Sequence, residues 1–391
     1  MVEEIAPNVL SWASELDELT REQAEKTARL PILAGHLALM PDAHLGKGAT
    51  IGSVIPTENA VIPSAVGVDI GCGMAARRLD LTQDDLPDTL DAWVSTMDAT
   101  VPAGLGRWHG EPSEAAIGWF AANPPPPTLD DERKAAAQLG TLGSGNHFIE
   151  LANDEESRIW ILLHSGSRGG GNKLATMHTK TARKLHDGLG TRLEDPELAW
   201  LQERTPEFDA YIRDLRWSQA FARENRRLML GSTHLALERV IGRQVSTTDE
   251  VNCHHNFTER ERHAGREVWV TRKGAIRARV GDRGLIPGAM GQRSYVIRGL
   301  GNPAAYESCA HGAGRRMSRR QARKQLSIDS FSEAMGVAAW QHASAQALLD
   351  EHPSAYKPID VVMRDQADLV EIDHELHGIA NYKGVESQRR R

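Results

Sequence analysis

MPDAHLGKGATIGSVIPTENAVIPSAVGVDIGCGMAARRLDL, running from Met40 to Leu81, is the stretch whose reading decides the fold class. Glycine, proline and β-branched residues crowd it, which predicts short strands joined by tight turns. Outward from it the pattern changes several times. Leu90, Trp93, Val94 and Met97 fall at helical spacing, with Pro87 where a first helical turn tolerates it. Pro124 to Pro127 predict a rigid, extended surface connection before an Ala-rich helix around Asp131 to Leu139. Ile159 to Leu163 reads as a buried strand leading into the polar, glycine-rich HSGSRGGGN. Lys173 to Ile241 turns helical, Val268 to Leu300 returns to strand-like alternation, and Ala313 to Leu349 is again mainly helical. This order predicts an α+β protein, one large domain over residues 1–391 with mixed β-sheets and flanking helices, rather than a regular βαβ array.

Bulk composition narrows the class. Hydrophobic residues at 40% and charged residues at 25% are the proportions of a globular protein, and 391 residues suffice for a sizeable core. No stretch approaches the roughly 20 apolar residues needed to cross a bilayer, and the first ten residues carry acids rather than a basic run, so a cytoplasmic protein is expected. Cys72, Cys253 and Cys309 make a poor disulfide framework, and reduced thiols, including metal ligands, fit better. A formal net charge of −7 excludes an indiscriminate nucleic-acid coat. Any such site must be local, and Arg315, Arg316, Arg319, Arg320, Arg323 and Lys324 form one candidate patch, beside the plainer reading of a solvated helix face.

Several segments carry residues suited to chemistry. In VGVDIGCGM, Asp69 and Cys72 stand three apart among glycines that let the backbone aim both side chains at one point. A metal corner is one reading; a buried thiol and a turn-forming carboxylate is the other. GTLGSGNHFIE, LLHSGSRGGGN and VNCHHNF add Asn146, His147, His164, His254, His255 and Asn256 in similar turns beside apolar runs. Thiolate and imidazole by themselves favour zinc or iron, whereas carboxylate with open positions suits manganese. In SCAHGAGRRMSRR, His311 precedes Gly312 and Gly314 and opens the basic helix. It is a candidate nucleophile towards phosphorus, or a histidine that merely packs or caps.

Taken together, MPDAHLGKG, VGVDIGCGM, GSGNHFIE, LHSGSRG, VNCHHNF, VTRKGA, IPGAMG and SCAHGAGRRMSR resemble the RtcB family of RNA-splicing ligases, in family order from about Met40 to Arg319. The resemblance implies a GTP- and manganese-dependent ligase that joins an RNA 3′-phosphate or 2′,3′-cyclic phosphate to a 5′-hydroxyl through a histidinyl-GMP intermediate. It implies Asp69, Cys72, His147, His164 and His255 as ligands of two manganese ions, with Cys72 bridging, and His311 as the residue that receives GMP. Asn146, Phe148, Glu150, Asn256, Ser294, Tyr356 and Lys383 match positions lining the guanylate site. Arg168, Arg315 and Arg319 are candidates for holding RNA phosphates, since guanidinium binds them bidentately.

Two features depart from the family pattern. Ala289 in IPGAMG stands where a serine is usual, removing a hydroxyl from the nucleotide site, and the chain continues past Gly384 with VESQRRR, read as a flexible basic tail over 385–391. Two competing readings are a metal-dependent RNA-end phosphodiesterase, in which the same ligands activate water, and a non-catalytic RNA-binding scaffold.

Overall fold

The structure, a computed structural model, describes residues 2–188 and 193–385. Most of the tail expected over 385–391 lies outside the described residues; Val385 itself is described and packs against a small apolar cluster with Met290 and Trp340.

Two large sheets face one another. The first has six strands in the spatial order Glu3–Ala6, Val9–Ser11, Leu37–His44, Ile51–Thr57, Arg266–Lys273, Asn256–His263. It is mixed, because Val9–Ser11 and Leu37–His44 run parallel. The second has seven, in the order Thr247–His254, Gly73–Thr82, Arg158–Ser165, Phe148–Asn153, Val370–Lys383, Arg293–Gly299, Arg283–Ile286. All its pairings are antiparallel, so the expectation of mixed sheets holds for the first sheet alone.

Alternation along the strands explains the layers. Met74, Ala76, Trp160 and Leu162 point from the second sheet into a core shared with Val54 and Val270 of the first. Their neighbours Ala75, Leu79, Ile161 and Leu163 point the other way, onto Trp93 and Met97 and onto Met229, Leu230 and Leu237 of the long helix Pro206–Ile241. Arg158–Ser165 is thus covered on both faces, which is why its apolar run is continuous rather than alternating. The outer face of the first sheet buries Leu37, Leu39 and Ile55 against Ala24 and Ala28 of helix Glu18–Ala28.

The α+β reading is the architecture found, with differences in detail. The decisive stretch forms strands Leu37–His44, Ile51–Thr57, Ala60–Val61 and Gly73–Thr82, but Pro63–Val66 adds one helical turn before Asp69. Pro87 precedes helix Asp91–Thr100 instead of starting it. Lys173 to Ile241 divides into two helices, Arg168–Gly188 and Pro206–Ile241, and the first begins inside the glycine run, five residues earlier than the pattern suggested. Glycine is a poor helix former, but side chains of Gln138 and Ser167 press on Gly169 and Gly171, so close packing overrides propensity. Ala313 to Leu349 holds only short helices, Arg319–Gln325, Ile328–Met335 and Ala345–Leu348. Among the described residues no helix is long and apolar enough to cross a membrane.

Register aligns the segments that carry chemistry. Gly73 faces His254 on one side and Ser165 on the other, while His164 faces Met74 and Phe148. Four neighbouring strand ends therefore place Cys72, His147, His164 and His255 together. Gly73 is required there, because a Cβ would collide with the Cys253 carbonyl.

The long helix fastens these ends. Arg226, 0% exposed, donates from Nη1 to the carbonyls of Gly71 and Ser165 at 2.9 and 3.0 Å, and from Nε to Asn252 Oδ1 at 2.8 Å; Nη2 lies 3.1 Å from His254 Nδ1. Asn225 accepts from the Gly140 and Thr141 amides and donates to Thr141 O and Ser165 Oγ. Truncating Arg226 would leave several buried acceptors unpaired at about 1–3 kcal/mol each. Arg226→Met is expected to lower the unfolding free energy by about 3 kcal/mol or more in urea denaturation; an unchanged midpoint would show that these bonds carry no net stability.

Candidate metal and nucleotide site

His147 turns Nδ1 to the Leu142 carbonyl at 2.9 Å, and His164 turns Nδ1 to the Asn146 carbonyl at 3.1 Å. A carbonyl only accepts, so each Nδ1 carries a proton and each ring aims its Nε2 inward. Those nitrogens meet further candidate ligand atoms: His147 Nε2 is 3.1 Å from Asp69 Oδ2 and 3.5 Å from Cys72 Sγ, and His164 Nε2 is 3.3 Å from Cys72 Sγ and 3.3 Å from His255 Nε2. Burial holds His164 and His255 well below the usual histidine pKa, so extra protons on those rings do not relieve the crowding. His255 Nδ1 is buried without a hydrogen-bond partner.

Carboxylate and thiol respond in opposite directions. Burial would raise Asp69, but His147 and Arg168 outweigh it and hold the carboxyl at about 2. Burial, then the Asp69 charge, pushes the Cys72 thiol well up. A divalent cation among these atoms reverses the second effect and takes up the facing lone pairs, so the donor set fits a metal. Ser167 N, donating to Asp69 Oδ1 at 2.9 Å, and the two carbonyls behind the imidazoles hold the donors in place.

The cluster forms part of the floor of a cavity of about 520 Å3. Beside it stands His311, on the loop after strand Ser308–Ala310, its ring 4.8 Å from that of His255, centroid to centroid. His311 Nδ1 lies 2.5 Å from Asp42 Oδ2 without good hydrogen-bond alignment, while the His311 amide donates to the same oxygen at 3.1 Å. Asp42 is fully buried. His311 does not open a helix as the sequence suggested; Gly314, at φ +72°, packs its backbone on Asp42, and the basic helix starts only at Arg319 behind the N-cap Ser318.

Of the other residues matched by resemblance, Asn146, Phe148, Glu150, Asn256, Tyr356 and Lys383 line the cavity. Strand register explains three of them. Asn381 faces Glu150 and Lys383 faces Phe148, so Asn381 Nδ2 donates to Glu150 at 2.9 Å and Lys383 Nζ lies 5.6 Å from the Phe148 ring centre. Ala289 also lines the cavity. Ser294 is buried in its strand opposite Leu376 and is not among the lining residues.

Nor does Arg168 line the cavity: it is half-buried, donates to Thr141 Oγ1 at 3.2 Å and lies over Gly143. Arg315 and Arg319 do line it, but protein groups engage both. Arg315 stacks on Tyr356 with Cζ 4.6 Å from the ring centre and donates to the Tyr356 hydroxyl, and Arg319 pairs with Asp350 and, at 2.6 Å, with Glu351. Lys383 reaches the same Glu351 at 2.9 Å. Burial would raise Glu351, yet Lys383 and Arg319 hold it at about 2.

Asp42, Glu351, Asn225 and Arg226 were not singled out from sequence. Asp42 sits in MPDAH, a string already used for the resemblance; the others lie in plain helical or turn sequence with no such signal. Among the described residues Glu261, His263 and Glu307 also cluster, but Arg272 and Arg279 pair with these carboxylates, which makes an ion-pair network the better description.

A family model described as tRNA-splicing ligase RtcB matches residues 23–384. The chain belongs to the RtcB family. The RNA-splicing ligase RtcB of Escherichia coli K12 is 42% identical over 387 residues, covering 93% of this chain and 94% of the relative. The tRNA-splicing ligase RtcB of Thermococcus kodakarensis is 30% identical, covering 93% and 88%, and the RNA-splicing ligase RtcB of Mycobacterium tuberculosis is 29% identical, covering 87% and 94%. Membership of the RtcB family thus extends over nearly the whole chain, including the sheet ends that carry the cluster and the strand that ends at Lys383.

Two outcomes follow from the geometry. Cys72→Ala removes the donor that lies between His147 and His164, and should weaken binding of a divalent cation by at least about tenfold in calorimetric titration; equal affinity would remove Cys72 from the ligand set. Burial raises the Glu150 carboxyl to about 7, against the opposing hydrogen bond from Asn381 and attraction of Lys383. The folded state therefore favours protonated Glu150, a contribution complete below the unfolded value of 4.5 and lost as pH rises through 7. Glu150→Gln should gain stability over the parent above pH 7, on the order of 3 kcal/mol, with the difference vanishing below the unfolded value. A difference independent of pH would refute the assignment.

Proposed function

We propose that the chain is a GTP- and manganese-dependent RNA ligase that joins RNA 3′-phosphate or 2′,3′-cyclic phosphate ends to 5′-hydroxyl ends through a histidinyl-GMP intermediate on His311. The observation that carries this reading is the His311 ring against His255, beside a proton-poor donor cluster and in one cavity with Asn146, Phe148, Glu150, Asn256, Tyr356 and Lys383. Asp69, Cys72, His147, His164 and His255 would hold two manganese ions, which when bound supply positive charge to neutralise and orient the triphosphate. The donor types alone also suit zinc; manganese rests on the family resemblance.

Asp42 beside His311 Nδ1 favours the tautomer with the proton on that nitrogen, which leaves Nε2 as the attacking atom. Nε2 attacks the α-phosphorus of GTP, the new P–N bond replaces the bond to the leaving pyrophosphate, and Asp42 offsets the charge on the ring. An RNA 3′-phosphate oxygen then attacks the same phosphorus and releases His311. Finally the 5′-hydroxyl oxygen attacks the RNA 3′-phosphate, forming the phosphodiester as GMP leaves. A cyclic phosphate is first opened by water to the 3′-phosphate. Phe148 offers a face to the base, and Glu150 with Asn381 offers polar atoms to its edge. Ala289 contributes no hydroxyl.

Incubation with manganese and radiolabelled GTP, followed by denaturing electrophoresis, is the test. Label is expected on the parent, none on His311→Ala, and labelling by Asp42→Asn slower by about a hundredfold or more. No label on a parent shown to bind manganese would overturn the ligase reading in favour of RNA-end hydrolysis or a scaffold role.

A further inference from the structure

Helix Arg168–Gly188 starts beside the metal cluster and walls the cavity with Thr176, Thr179, Lys180 and Arg183. Next to these around the helix come Lys173, Met177, Thr181 and Lys184, which line a second, shallow depression together with Asn172, Thr176 and Lys180. Thr176 and Lys180 belong to both, so the depression joins the cavity across a ridge one helical turn long.

Charge on this ridge is unevenly committed. Arg183 pairs with Glu197, which also takes Lys47, and Lys173 pairs with Asp130. Lys180 and Lys184 are exposed, and none of the ion pairs among the described residues engages them. They stand one turn apart, about 6 Å along the axis. Thr179 and Thr181 return their hydroxyls to helix carbonyls, whereas the Thr176 hydroxyl makes no such bond. Exposed Asp187, near the end of the helix, bounds the face.

We propose that this helix face carries the sugar-phosphate backbone of single-stranded RNA next to the end that reacts in the cavity. Lys180 and Lys184 meet successive phosphates, the Thr176 hydroxyl donates to the backbone where it crosses the ridge, and Met177 gives a base an apolar surface. The inference rests on the reading of the cavity as an RNA-end site. A single strand suits the place better than a duplex, whose end would have to unpair to turn over Thr176. In a chain of net charge −7, two uncommitted lysines, Lys180 on the cavity wall and Lys184 in the adjoining depression, are the kind of local patch that nucleic-acid binding requires.

Fluorescence anisotropy on the full chain with manganese tests it, using a trinucleotide and a dodecanucleotide in two series, one ending in a 3′-phosphate and one in a 5′-hydroxyl. Lys184→Glu is expected to weaken the dodecanucleotide at least about tenfold while leaving the trinucleotide within about twofold, because only the longer strand reaches the depression. Lys184→Ala should lower the salt slope of the dodecanucleotide by about 0.7, the loss of one phosphate contact on a single strand. An effect in either series supports the proposal and tells which strand lies on the helix. If Lys184→Glu binds the dodecanucleotide as the parent does, in both series, while the parent still takes label from GTP, the helix face is wrong and the cavity reading stands. If the parent neither takes label nor binds either RNA, both fall together.

Discussion

Arg226 is the residue on which the rest of the site hangs. Fully buried in the long helix, it ties the Gly71 turn, the end of the His164 strand and the segment leading to His255 to one guanidinium. Burial pushes its pKa to about 10, so it remains charged at neutral pH, and the Asp69 carboxylate draws it back up. A single rigid fork thus does what three separate loops could not do for themselves: it fixes backbone positions whose side chains repel one another. Asn225, one residue earlier, ties down the turn at Gly140 and Thr141 that leads to His147 in the same way. The scaffold thus holds the imidazoles, thiol and carboxylate together by its own hydrogen bonds.

Two electrically different groups line the cavity. In one, imidazoles, a thiol and a carboxylate converge with too few protons to satisfy them. In the other, Arg315, Arg319 and Lys383 gather on Glu351, with Arg319 also on Asp350. The first calls for metal charge. In the second, three cations share two carboxylates, so each guanidinium is held by protein groups and acts on a ligand in exchange for them. The uncommitted lysines lie elsewhere, on helix Arg168–Gly188, where surface charge costs little to keep hydrated.

Much of the architecture was legible because local physics left marks. The glycine and proline spacing of Met40 to Leu81 gave strands and turns, the apolar run from Ile159 to Leu163 gave a buried strand, and the Ala-rich run around Asp131 to Leu139 gave helix Glu132–Gln138. Asp69, Cys72, His147, His164 and His255 stood out as residue types in glycine-rich turns, where short-range bends are needed, and the family resemblance grouped them. Reading failed where long-range packing decided the outcome. Helix Arg168–Gly188 takes in three glycines, two of which neighbouring side chains crowd.

By itself, then, the sequence determined the α+β class and the likeness to the RtcB family, carried by residue type, short spacing and the order of the motifs. Only the tertiary structure decided that Gly73 stands between His254 and Ser165 in register, that Asp42 lies beside His311, and that Asn225 and Arg226 fasten the turns. The physical reason is range: turns and periodicity act over a few residues, whereas strand register and buried hydrogen bonds join residues more than a hundred positions apart, as Arg226 and Gly71 are.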